Sequence, residues 1–149
     1  MAMITMVRAI KQIHSEDLVL IKIGNFYHAY GKDSYILSYL FSYKLKEFAE
    51  HYSTCGFPID SISKVKAILE EKKINYLLLD KRNNYEEEEK SDNGNLNAYD
   101  KEFAKASKYI KLKKRIDNIY EILLSEITKK GIKETIIRIE DVINEGRKV

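Results

Sequence analysis

The chain reads as a small mixed α/β domain, a sheet flanked by helices, followed by a C-terminal helical hairpin. Apolar runs of strand length at 18–23 and 74–80 alternate with segments whose apolar residues recur every three or four positions. A polar stretch then separates this part from two further helical patterns. With 149 residues and 44% hydrophobic content, the chain can bury one ordinary core but not two full domains.

Residues 3–13, MITMVRAIKQI, set Met6, Ile10 and Ile13 at helical spacing, and HSED breaks that pattern before LVLIKI. The aliphatic run 18–23 predicts a strand, Gly24-Asn25 a two-residue hairpin turn, and 26–30 the return strand. From Lys32 on, Ile36, Leu37, Leu40, Phe41, Leu45 and Phe48 mark one helix flanked by Tyr35, Tyr39 and Tyr43. TCGFPI, with Gly56 and the only proline, Pro58, predicts a loop or bent edge. An Asp60/Ser61 cap then opens a helix whose apolar face is Ile62, Val65, Ile68 and Leu69.

INYLLLD at 74–80 has the length and continuity of a strand buried on both sides. Residues 1–81 therefore order as α-β-β-α-loop-α-β. Residues 82–98, with four consecutive glutamates and almost nothing to bury, form an acidic polar linker. Over 99–149 a helical hairpin is expected. Tyr109, Leu112, Ile116, Ile119 and Leu123 line its first helix, Gly131 breaks the chain, and Ile132, Ile136, Ile139 and Ile143 line the second.

The net charge of +3 is the small difference of 26 basic and 23 acidic side chains, so distribution carries more than the total. One cysteine, Cys55, leaves no internal disulfide and no thiolate zinc cage, and it reads as a small buried hydrophobe of a reducing, cytoplasmic compartment. No apolar run approaches the ~20 residues of a membrane span. Neither Gly24 nor Gly31 opens a P-loop, and GKD at 31–33 departs from one. His51 and Cys55 lie four apart, a spacing that suits two ligands on a helix but lacks a third. Three scattered histidines assemble no nucleophile, base and orienter. A non-enzyme without cofactor or metal is the expectation.

Two features point to a binding partner. From 101 to 115, KEFAKASKYIKLKKR carries seven basic residues against Glu102 alone, so Lys105, Lys108, Lys111, Lys113, Lys114 and Arg115 can neutralise phosphates. A solvated helix face accounts for the same run. In the hairpin, successive side chains point to opposite faces, so either Phe26 or Tyr27 must leave the core side. An outward aromatic there can stack on a base, although periodicity alone more often makes such a Phe26 a core residue.

The order of the pieces supplies a resemblance. IKQIHSEDLVLIKIGNFYHAYGKDSYILSYLF is similar to the opening of the MutS family's N-terminal mismatch-recognition domain, where helix, spacer and strand lead to a G-D-F-Y-E-L-F segment and a helix. GFPIDSISKVKAILEEKKINYLLLDK is similar to that domain's later loop, helix and closing strand. The resemblance covers about residues 5–81. It implies a MutS domain I-like fold, in which the phenylalanine of a Phe-x-Glu motif stacks on a mispaired base. That role falls on Phe26, with Tyr27 between and Asn25 before it.

Where the family has glutamate, this chain has His28. Ionised glutamate only accepts hydrogen bonds, whereas neutral imidazole has one donor and one acceptor. Stacking and general duplex contact are therefore expected to survive the exchange better than mismatch discrimination. The expected partner is duplex DNA, mismatched or distorted, in a repair-associated role. The alternative is a protein-interaction scaffold, a homodimer through the C-terminal helices or an accessory to a nucleic-acid enzyme.

Overall fold

Residues 2–49, 51–92 and 94–148 are described by a computed structural model of the chain. The helices are α1 (Met3–Ile13), α2 (Lys32–Phe41), α3 (Ile62–Glu71), α4 (Leu96–Ser125) and α5 (Ile132–Arg147). The strands are β1 (Leu18–Ile23), β2 (Phe26–Tyr30), β3 (Lys46–Ala49), β4 (Tyr52–Pro58), β5 (Tyr76–Asp80) and β6 (Glu86–Lys90). They make one six-stranded sheet in the order β3-β4-β2-β1-β5-β6. Only β1 and β5 run parallel; the other neighbours are antiparallel, so the sheet is mixed. The fold is the α+β arrangement expected of a MutS domain I-like chain. The chain divides into two units, one up to Ile110 and one from Lys111.

Strand alternation sorts the core into two layers. Leu18 and Leu20 of β1, Tyr27 and Ala29 of β2, Cys55 and Phe57 of β4, and Tyr76 and Leu78 of β5 point to one face. There α2 adds Ile36 and Leu37, α3 adds Val65 and Leu69, and α4 adds Tyr99 and Ala106. Val19, Ile21, Tyr30, Leu77 and Leu79 point to the other face, where α1 lays Val7 against them. The central strands β1 and β5 are thus buried from both sides, which is why they read as unbroken apolar runs.

One buried carboxylate binds these layers together. Asp33, in the first turn of α2, is 1% exposed. It accepts hydrogen bonds from Lys11 Nζ of α1 at 3.0 Å, Tyr99 Oη of α4 at 2.6 Å and the Val19 backbone N–H of β1 at 3.1 Å. Burial raises its pKa, and the Lys11 charge with the Tyr99 and Val19 bonds opposes that rise.

Three segments differ from the sequence reading. The helix from Lys32 ends at Phe41, because Ser42 turns left-handed at φ 60° and closes the helix with its N–H on Ser38 O. Leu45 and Phe48 kept helical spacing by coincidence, and Phe48 sits in β3 with its ring 4.7 Å from that of Tyr30. TCGFPI is not a loop but most of β4, an interior strand, with Pro58 tolerated as its last residue. The acidic stretch contains β6, an edge strand antiparallel to β5 whose Glu88 meets Lys22 at 2.7 Å and Glu89 meets Lys66 at 3.0 Å. Charge on an edge strand blocks unwanted pairing, so glutamates there are compatible with a sheet.

Smaller differences follow. No side-chain cap bond forms at Ser61; a 3-10 turn, Ile59–Ser61, leads into α3 instead. His51 lies in the β3–β4 turn and Cys55 in β4, so the two never share a helix face. Cys55 is buried, with its thiol pushed up to about 12 by desolvation.

Removing one partner from a buried, hydrogen-bonded ion pair strands the other, which costs about 3–5 kcal/mol. Asp33→Ala is therefore expected to destabilise the first unit by that amount in urea titrations followed by circular dichroism. A loss below about 1 kcal/mol, the range of a surface pair, would contradict this role.

Candidate functional site

The β1–β2 hairpin carries the candidate site, and its turn chemistry decides what it presents. Gly24 takes φ +61° and Asn25 does not take a positive φ, the pattern of a type II′ turn whose twist suits a hairpin. The carbonyl of Asn25 accepts a hydrogen bond from the Ile59 N–H at 3.0 Å, which ties the tip to the end of β4. Phe26 pairs with Ile23 on one side and Pro58 on the other.

Alternation along β2 then divides the aromatic pair. Tyr27 turns into the α2–α3 core and is 5% exposed, with its ring 5.8 Å from that of Phe57. Its hydroxyl donates to Glu88 at 3.4 Å, and burial raises its pKa. Tyr27 therefore supports the site from behind and offers its ring to no ligand, a correction to its place among the expected contacts. Phe26 turns the other way and stays 46% exposed.

His28, two residues on, shares the face of Phe26, with ring centroids 6.3 Å apart. Tyr30 continues the row at 6.4 Å from His28. The imidazole lies over Gly56 of β4, where a Cβ would come within 2.9 Å of His28 Nδ1 and 3.1 Å of the Tyr27 carbonyl. A glycine is thus what lets this ring lie flat against the sheet. Desolvation, and after it the charge of Lys46 on β3, lower the His28 pKa below its ordinary 6.5, so the ring is neutral at neutral pH.

Phe26, His28 and the exposed Lys46 thus form one outward patch: an accessible ring, a neutral imidazole able to donate and accept, and a cation. Asn25 is exposed at its rim. The basic run lies elsewhere. Lys105 and Lys108 are exposed on α4, which packs on the opposite face of the sheet, and Lys105 meets Glu102 at 3.4 Å. Lys111, Lys113, Lys114 and Arg115 continue that helix in the second unit.

Lys46 and Gly56 were missed in the sequence because one fell in an overextended helix and the other in a supposed loop. The signal for both was the pairing of 46–58 as two strands. Among the described residues, no cluster of three or more histidine, cysteine or acidic side chains is placed to hold a metal, and no helix is long and apolar enough to cross a membrane.

A histidine whose folded pKa is lowered gives full stability above its ordinary value and loses it as pH falls through that value toward the folded pKa. Proton NMR titration is expected to place the His28 imidazole below 6.5 and to move it upward in Lys46→Ala. Replacing His28 by Gln should flatten the fall of stability on acidification below pH 6.5. A His28 titration at or above 6.5 would contradict the packed, Lys46-flanked ring.

Compared with known protein families, the chain matches the family described as MutS domain I over residues 1–91. That span holds α1 to α3 and all six strands, hence the whole of the Phe26 patch. No curated protein matches the chain.

Proposed function

The chain belongs to the MutS domain I family, and from that premise we propose that it is a non-catalytic DNA-binding module that contacts distorted duplex through the Phe26 patch. The observation that carries this reading is the outward Phe26 ring, set beside His28 on the face where α1 packs over Val19, Ile21 and Tyr30 while Phe26 stays exposed. A base that has left its pair exposes a π face, and stacking it on an aromatic side chain contributes about 1–3 kcal/mol. Fully paired bases offer no such face without unstacking, so bulged or mispaired steps are favoured.

His28 stands where the family's glutamate stands. Held neutral, it does not repel phosphate as a carboxylate does, and it offers a base edge one donor and one acceptor. Recognition then rests on access to a loosened base more than on the identity of the mispair. Lys46, whose charge acts on His28, supplies a cation for a phosphate, and Asn25 a polar group at the tip. Lys105 and Lys108 sit behind the sheet and are not assigned to this contact. A role in repair follows from the family's mismatch recognition and is part of the same proposal.

Fluorescence anisotropy with matched, mismatched and bulged duplexes at two salt concentrations tests the reading. Phe26→Ala should weaken binding to the bulged duplex by about tenfold with an unchanged salt slope. Lys46→Ala should weaken all duplexes alike and reduce the slope by about 1. Failure of the parent protein to bind any duplex at low salt would remove the proposal.

A further inference from the structure

The second unit has helices but no interior. From Lys111 to Lys148 not one side chain is buried, and only Leu123, Glu126, Ile132 and Ile139 are even half-buried. Yet eleven large apolar side chains in this stretch are 39% to 69% exposed, among them Ile116 and Ile119 of α4, Ile127 in the connection after it, and Val142 and Ile143 of α5. Helices in water owe most of their stability to the packing of an apolar face, and a 16-residue helix such as α5 is marginal alone. Something must cover these side chains. Eleven half-exposed groups offer on the order of 1,000 Å² per copy, the scale that a stable homodimer buries on each partner.

The arrangement of charge selects the cover. Along α4 the second unit opens with Lys111, Lys113, Lys114 and Arg115 and continues with Asp117 and Glu121, and Glu126, paired with Lys129, and Lys130 follow in the connection. Along α5, Lys133 and Arg138 come first and Glu140, Asp141 and Glu145 follow, with Glu134 the one acid at the basic end and Arg147 and Lys148 closing the chain. Each helix thus reverses its charge along its length. A parallel pair of copies would set like charge on like; an antiparallel, two-fold pair sets basic end on acidic end, which is the self-complementarity an isologous interface requires.

The apolar spacing agrees. Leu112, Ile116, Ile119 and Leu123 advance by four, three and four, and Ile132, Ile136, Ile139 and Ile143 do the same, the spacing of an apolar seam in a helical bundle. A polyanion would use the basic end but leave the apolar side chains wet and meet Asp117 and Glu121 further along the same helix. We propose that residues 111–148 dimerise with the same segment of a second copy, antiparallel, as a four-helix bundle. The inference is independent of the DNA-binding reading.

Sedimentation velocity of the full chain across the micromolar range tests it. The parent should sediment at twice its 17.5 kDa mass and dissociate on dilution. Ile116→Glu with Ile143→Glu should give a monomer whose first unit keeps its near-ultraviolet circular dichroism. Because that variant also loosens the helices, charge provides a second arm. Reversing Lys113, Lys114 and Arg115 to Glu should raise the dimer dissociation constant about tenfold or more, and adding Asp117→Lys, Glu121→Lys and Glu126→Lys should restore it. A parent that is monomeric throughout, a dimer indifferent to both sets of substitutions, or association seen only with duplex DNA present would each overturn the proposal.

Discussion

A single carboxylate with nowhere to put its charge governs how the first unit is assembled. Asp33 is sealed from water, so it is tolerable only where donors surround it. It finds Lys11, Tyr99 and the Val19 N–H, one each from α1, α4 and β1. These groups come from both sides of the sheet, so α1 and α4 cannot drift apart from β1 without stranding a buried oxygen. Lys11 is further fixed by donating to Asp17 O at 2.6 Å and by lying 5.0 Å from the centre of the Tyr99 ring. The register of β1 follows from this anchor, and β1 in turn carries the hairpin.

From that register, strand alternation does the rest. With Ile21 opposite His28 and Ile23 opposite Phe26, the side chains of β2 have fixed faces. A slip of one residue would send Tyr27 to the outer patch and push Phe26 and His28 into the core. Tyr27 is locked inward by Phe57 and by the Lys22–Glu88 pair beneath its hydroxyl, so its neighbour is locked outward. An exposed aromatic held by a rigid sheet keeps more of its stacking energy than one on a loose loop, because little side-chain freedom is lost on binding. The same rigidity presents His28 beside it, pressed against Gly56 and kept neutral by burial and Lys46.

Much of this was legible in the sequence, and the failures have physical causes. The hairpin at 18–30 could be read because Gly24-Asn25 is strong turn chemistry between two runs of strand length. Strand β4 was hidden because Gly56 and Pro58 weaken strand propensity; each is tolerated for a tertiary reason, the space under His28 and a position at the strand's end. The glutamates of β6 look disordered in isolation, and only Lys22 and Tyr76 across the sheet and Lys66 of α3 make sense of them. Whether Phe26 or Tyr27 faces outward depends on which face receives the helices α2 and α3, a long-range fact that a period-two pattern cannot hold. The lysines of α4 formed a conspicuous run in one dimension, but helix packing placed Lys105 and Lys108 on the far side from Phe26.

The account stands or falls on the outward ring meeting a nucleobase. The most direct measurement is a titration of the chain, labelled with 13C in its aromatic rings, against a duplex bearing a single unpaired thymine. Ring-current displacement of the Phe26 resonances, with those of Tyr27 nearly still, is the predicted result. Saturation of binding while the Phe26 ring signals stay in place would contradict it.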